Sequence, residues 1–200
     1  MTLYISEIVS NTRNKSLIIA DCGVKFCLYN TEIQDFGIRE GGTVDDVTLN
    51  AVNEILCQRA LKYCIKLLEG KDYSIFCIKN KLKVKYYTDE AIEFAVNRLI
   101  DKGYLNDKNF AENYYELKKR NFGIRRIKNE LIKNGISDKI IDDVLSKEED
   151  SQDSMELITR LAVSKCFDLE AANLKEKNRF YKFLVRKGID FDSINRYFSC

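Results

Sequence analysis

Apolar and polar positions alternate along the first thirty residues of the chain. Tyr4–Asn11, Ser16–Ala20 and Lys25–Asn30 are short runs rich in β-branched and aromatic side chains, the composition of strands that bury one face. Arg13-Asn14-Lys15 and Asp21-Cys22-Gly23 between them carry turn residues, so the pattern predicts a small antiparallel meander. Gly37, Gly41 and Gly42 punctuate the stretch after the third run. Thr43-Val44-Asp45-Asp46 then has the spacing of a capping box that opens a long helix.

From there the period changes from two to about 3.6. Leu56, Ala60, Cys64 and Leu67 fall on one helical face, as do Ile92, Ala95, Val96, Leu99 and Ile100. In KNKLKVKYY, Lys79, Lys81, Lys83 and Lys85 alternate as they would on an edge strand. Comparison with the rest of the chain assigns that stretch instead to the end of a helix plus a turn. Segments beginning at Leu82, Leu131 and Leu184 align without gaps, about 50 residues apart. Each has a leucine, a chain reversal, a capping residue (Thr88, Ser137, Asp190) and an apolar helix.

Each repeat has room for three short helices. The predicted sets are 56–69, 72–84 and 88–102; then 107–120, 123–134 and 137–145; then 155–166, 174–187 and 190–198. The resulting fold class is mainly α, with tandem three-helix repeats preceded by a small antiparallel β-containing N-terminal segment. The expected boundaries are 1–47 for the β-rich segment and 48–104, 105–147 and 148–200 for the three repeats. Gly135 and Gly188 end the middle helices where a left-handed residue is wanted, and Tyr86 stands at the matching place in the first repeat. The acidic run at 147–153 reads as a solvated linker rather than a carboxylate metal site.

Composition removes whole classes of chemistry. The 200 residues contain no histidine, which excludes a His-based triad, a His general base and nearly every His-containing zinc site. Seven cysteines make an odd set without a Cys-x-x-Cys pair, and Cys57 and Cys64 fall on the apolar face of one helix. They read as buried free thiols of a reducing compartment. The N-terminus has no signal-peptide core and the chain has no membrane-length apolar run, so the expected location is cytoplasmic. Phosphate-binding, nucleophile-elbow and zincin motifs are also missing. Asp142 and Asp143 are adjacent and therefore diverge by about 100° on a helix, a poor acid–base pair. The chain reads as a non-enzyme without cofactor or metal.

Charge carries more information. The net charge is only +2, from 33 Lys and Arg against 31 Asp and Glu, so any electrostatic partner must meet a local patch. Positive excess lies in the first two repeats and is densest at Lys118, Lys119, Arg120, Arg125, Arg126 and Lys128. A helix C-terminus favours Lys118, Lys119 and Arg120 by about 0.3–1 kcal/mol each, but Arg125 and Arg126 begin a helix, where cations are disfavoured. With Ile124, Ile127 and Leu131 turned inward, the six cations form the candidate binding patch. Tyr114, Tyr115 and Phe122 lie close by and read as core aromatics rather than base-stacking platforms.

Gly103-Tyr104-Leu105-Asn106-Asp107, Phe110-Ala111, Gly123, Glu130-Leu131 and Gly135-Ile136 together resemble the central signature of the bacterial RecX regulatory proteins. Arg59-Ala60-Leu61, and Phe36-Gly37 with Gly41, resemble that family's first helical unit and the leader of its Gram-positive members. The resemblance spans essentially the whole chain. It implies binding to RecA recombinase and its filament on single-stranded DNA, with inhibition of strand exchange and of RecA ATP hydrolysis. Direct contact with single- or double-stranded DNA is a further candidate interaction. Stacked repeats would make an elongated body able to follow a helical groove, and no heptad signals a dimer, so a monomer is expected. The alternative is a helix-turn-helix transcription regulator with Gly123–Asn134 as its reading helix.

Overall fold

The computed structural model describes residues 2–146 and 151–199, with backbone only for 151–153. It forms two compact units, Met1–Asn106 and Asp107–Cys200. In the first, β1 (Leu3–Thr12), β2 (Lys15–Ala20), β3 (Lys25–Tyr29) and β4 (Thr43–Val44) make an antiparallel sheet in the order β3-β2-β1-β4. Ile18 pairs with Ile8 on one side and Phe26 on the other, and Ser16 pairs with Leu28, so one sheet face is apolar.

The predicted third strand ends one residue early. Asn30 starts α1 (Asn30–Asp35), because the Glu32 carboxylate reaches back to the Tyr29 N–H at 2.8 Å and closes a first turn. The capping motif also shifts. Thr43 and Val44 are spent as a short strand against Tyr4 and Leu3, and the cap of α2 (Asp46–Leu68) is Asp45, which accepts from the Thr48 N–H at 2.8 Å. Helix α2 therefore starts well before Leu56.

Val52, Leu56, Ala60 and Cys64 of α2 are buried in the same cluster as Ala91, Ile92, Ala95, Val96 and Leu99 of α4 (Asp89–Asp101). Ile78 and Leu82 of α3 (Ile75–Val84) complete this bundle, and Ile5, Ile18, Phe26 and Leu28 belong to the same cluster. The sheet and the helices α2, α3 and α4 thus share one core. The lysine-rich stretch is the end of α3 followed by a turn at Lys85 and Tyr86, and Tyr86 adopts φ +58 where the later repeats have Gly135 at +75 and Gly188 at +82. Cys57 and Cys64 are buried free thiols, and burial pushes Cys64 up to about 11.

Arg59 ties the sheet side to α2. Its guanidinium pairs with Glu32 and lies 4.6 Å from the Tyr29 ring centroid, and its Nη1 is buried without a hydrogen-bond partner among the described residues. Glu32→Ala would leave that largely buried charge unpaired and should cost about 1–3 kcal/mol of stability in urea unfolding. Glu32→Gln, which keeps an acceptor, should lose less.

The second unit holds α5 (Asp107–Lys118), α6 (Ile124–Lys133), α7 (Asp138–Leu145), α8 (Ser151–Ser164), α9 (Leu174–Lys187) and α10 (Phe191–Ser199). Ala111, Tyr115, Ile127, Leu131, Ile141 and Leu145 form one core, and Ile158, Phe180, Leu184 and Ile194 are central to another. Of the expected linker, 147–150 lies outside the described residues, and α8 begins at Ser151, within the run read as linker.

Candidate interaction surface

Two glycines bring the second and third repeats into backbone contact. The Gly123 N–H, at the N-cap of α6, donates to the Lys187 carbonyl at 2.9 Å. Gly188 caps α9 with φ +82, and a Cβ there would stand 2.4 Å from the Arg126 backbone nitrogen. A Cβ on Gly123 would stand 2.3 Å from the Gly188 carbonyl oxygen. No other residue type fits at this crossing without displacing backbone, and the crossing places the start of α6 beside the end of α9.

The six cations of the candidate patch divide at this seam. Arg120 and Arg125 are exposed and form no ion pair among the described residues. Lys119 pairs with Glu116 at 2.7 Å and lies over Tyr115, and Lys128 pairs with Asp142 at 2.9 Å. Lys118 lies 5.6 Å from the Tyr114 ring centroid. Arg126 does not point freely outward, as helical spacing implied. It pairs with Glu130 at 3.0 Å, donates to the Arg186 carbonyl at 3.2 Å and sits 4.1 Å from the Phe122 ring centroid. The neighbouring repeat, invisible to a single-helix projection, supplies the carbonyl that holds it along the seam.

Lys187, which charge counting along the sequence passes over, joins this cluster at 4.5 Å from Phe122 and 5.5 Å from Phe183, and Lys165 also faces Phe183. Burial, with the neighbouring charges of Arg126 and Lys165, holds the Lys187 ammonium below the ordinary lysine range. Helix α9 itself has Lys175, Lys177, Arg179, Lys182, Arg186 and Lys187 against a single acid, Glu176. Acids elsewhere in 148–200 mask that excess in the repeat's net charge. A helix-length charge window would find it. Arg125 and Lys133 of α6 and Val185 and Arg186 of α9 line a cleft of about 530 Å³ at the seam.

Glu130 is the acid within the cluster. The Tyr114 hydroxyl donates to it and Arg126 pairs with it, and together they hold its carboxyl below the ordinary 4.5 despite partial burial. Burial, reinforced by this carboxylate, pushes Tyr114 up to about 12. A carboxyl depressed in the folded state stabilises above its unfolded value, and that contribution is lost as pH falls through the folded one. Glu130→Gln should therefore show a shallower fall in urea midpoint below about pH 4.5 than the parent chain. Parallel curves would show that Glu130 titrates normally.

The N-terminal turn of α6 is the part of a reading helix that would enter a DNA groove. Here Gly188 is packed against it, which disfavours the transcription-regulator alternative.

A sheet-bearing helical bundle followed by further three-helix bundles, with a cationic seam between two of them, defines a helical-repeat protein. The family model described as RecX, second three-helix domain, matches residues 106–145. A Regulatory protein RecX of Trichlorobacter lovleyi is 33% identical over 138 residues, covering 67% of this chain and 90% of that protein. One of Clostridium botulinum is 25% identical over 192 residues, covering 94% and 90%. A crystal structure of a regulatory protein RecX superposes with a TM-score of 0.62 over 98% of both chains at 19% identity, a likeness of fold. The chain belongs to the RecX family of regulatory proteins.

Proposed function

We propose that this chain binds RecA recombinase assembled on single-stranded DNA and lowers strand exchange and ATP hydrolysis by occupying the filament, with no chemistry of its own. The observation that carries this reading is the RecX family membership, joined to the exposed Arg120 and to a cationic seam on the second unit whose outward members, Arg125, Lys133 and Arg186, are exposed. Such a patch suits an anionic surface, either acidic RecA side chains or the phosphates of the bound strand, and both would make binding salt-sensitive. Lys118, Lys119, Arg126 and Lys128 contribute positive potential, with Lys119, Arg126 and Lys128 each paired to a carboxylate and Lys118 near the Tyr114 ring. The unpaired buried thiols suit action in a reducing cytoplasm.

The test is RecA-catalysed ATP turnover on single strands with and without stoichiometric amounts of this chain. Turnover should fall several-fold, and the effect should weaken as salt rises. Unchanged turnover across all ratios would refute the proposal.

A further inference from the structure

A further surface runs along α9 and shares Val185 and Arg186 with the seam cleft. Tyr181, Val185 and Phe191 floor an open groove of about 510 Å³ along α9 to the start of α10, and Arg179, Lys182 and Arg186 edge it. The floor is apolar and only partly covered, with Phe191 46% exposed. Arg125 of α6 adds a fourth cation, its guanidinium 4.9 Å from the Phe191 ring centroid. These four cations are exposed, and none of them forms an ion pair among the described residues.

We propose that this groove docks an acidic segment of a partner protein, which lays a large apolar side chain on Tyr181, Val185 and Phe191 while its carboxylates meet Arg125, Arg179, Lys182 and Arg186. The combination of floor and rim selects this occupant. Arginines match carboxylates in forked pairs, and an apolar anchor ringed by polar contacts is the usual anatomy of a tight interface. A nucleic-acid strand would use the cations, but the Phe191 ring on which its bases would stack already carries the Arg125 guanidinium. A second copy of this chain would bring the same four cations face to face across a two-fold axis, which is repulsive. The inference goes beyond the role in RecA regulation and does not require RecA to be the partner.

The experiment is fluorescence anisotropy of the full chain with a labelled short peptide of Asp and Glu carrying one Phe and one Leu. Three competitors accompany it: the peptide with Phe and Leu replaced by Ser, the peptide with its acids replaced by Asn and Gln, and an oligothymidylate of matching length. The parent peptide should bind with Kd on the order of 10 μM, and both altered peptides should be about tenfold weaker or worse. Arg179→Glu with Lys182→Glu, and separately Phe191→Ser, should each weaken the parent peptide about tenfold. Circular dichroism checks folding, and Arg179→Gln with Lys182→Gln replaces the reversal if that variant does not fold. No saturable binding below about 1 mM would overturn the proposal. So would equal affinity of the Ser-substituted peptide, displacement by the oligothymidylate at matched concentration, or full affinity in the folded groove variants.

Discussion

Gly188→Ala should lower the stability of the second unit by about 2–5 kcal/mol. Two costs add. A left-handed φ of +82 penalises any Cβ by about 1–2 kcal/mol. The new methyl would also stand 2.4 Å from the Arg126 nitrogen and Cβ, so backbone must move and core packing with it. Two further substitutions separate the contributions. Gly103→Ala imposes a similar φ, +73, with nothing within 4 Å of its Cβ, and should cost about 1–2 kcal/mol. Gly123→Ala has ordinary backbone geometry but meets the Gly188 carbonyl at 2.3 Å, and should cost about 1–3 kcal/mol from the clash alone. Urea unfolding followed by far-UV circular dichroism measures all three. Equal losses at Gly188 and Gly103 would mean that close approach of the two helices does not require the glycine.

Arg120→Glu combined with Arg125→Glu should reduce inhibition of RecA ATP hydrolysis by at least about tenfold, with thermal unfolding nearly unchanged. Neither side chain has an ion-pair partner among the described residues, so reversing the charges changes the outward field by four units while breaking no salt bridge. Glu at position 125 would even favour the first turn of α6, which offsets the lost contact with Phe191. Arg126→Glu is the instructive comparison. It would put a carboxylate beside Glu130, release the Arg186 carbonyl and uncover Phe122, so it should destabilise the unit as well as weaken inhibition. Full inhibition by the Arg120/Arg125 variant would remove this surface from the mechanism.

The three-helix periodicity was legible because each repeat leaves local marks: an apolar face at helical spacing, a capping residue at Thr88, Ser137 or Asp190, and a left-handed residue before it. Those marks act within a turn or two of chain, so sequence spacing records them. Helix α1 and the reassigned Thr43-Val44 were not legible in this way. Six residues carry too little periodicity to declare a helix, and whether Thr43 caps a helix or pairs as a strand depends on the backbone of Tyr4, far away in sequence. The candidate patch was legible in its composition and only half legible in its partners, since Arg120 and Arg125 have no ion pair among the described residues and Arg126 is tied to Glu130 and the Arg186 carbonyl.

The amino-acid order by itself determined a β-rich start, helical repeats of about 50 residues, the absence of histidine chemistry and the resemblance to RecX proteins. Each of these is a property of composition, of neighbours within one helical turn, or of such local marks recurring in order along the chain. Only tertiary structure decided that the sheet shares its core with α2, α3 and α4, that Gly123 and Gly188 cross at backbone distance, and that α9 carries a cationic groove beside α6. Those features depend on which distant segments meet. Packing settles that globally, through volumes and partners that no local pattern encodes.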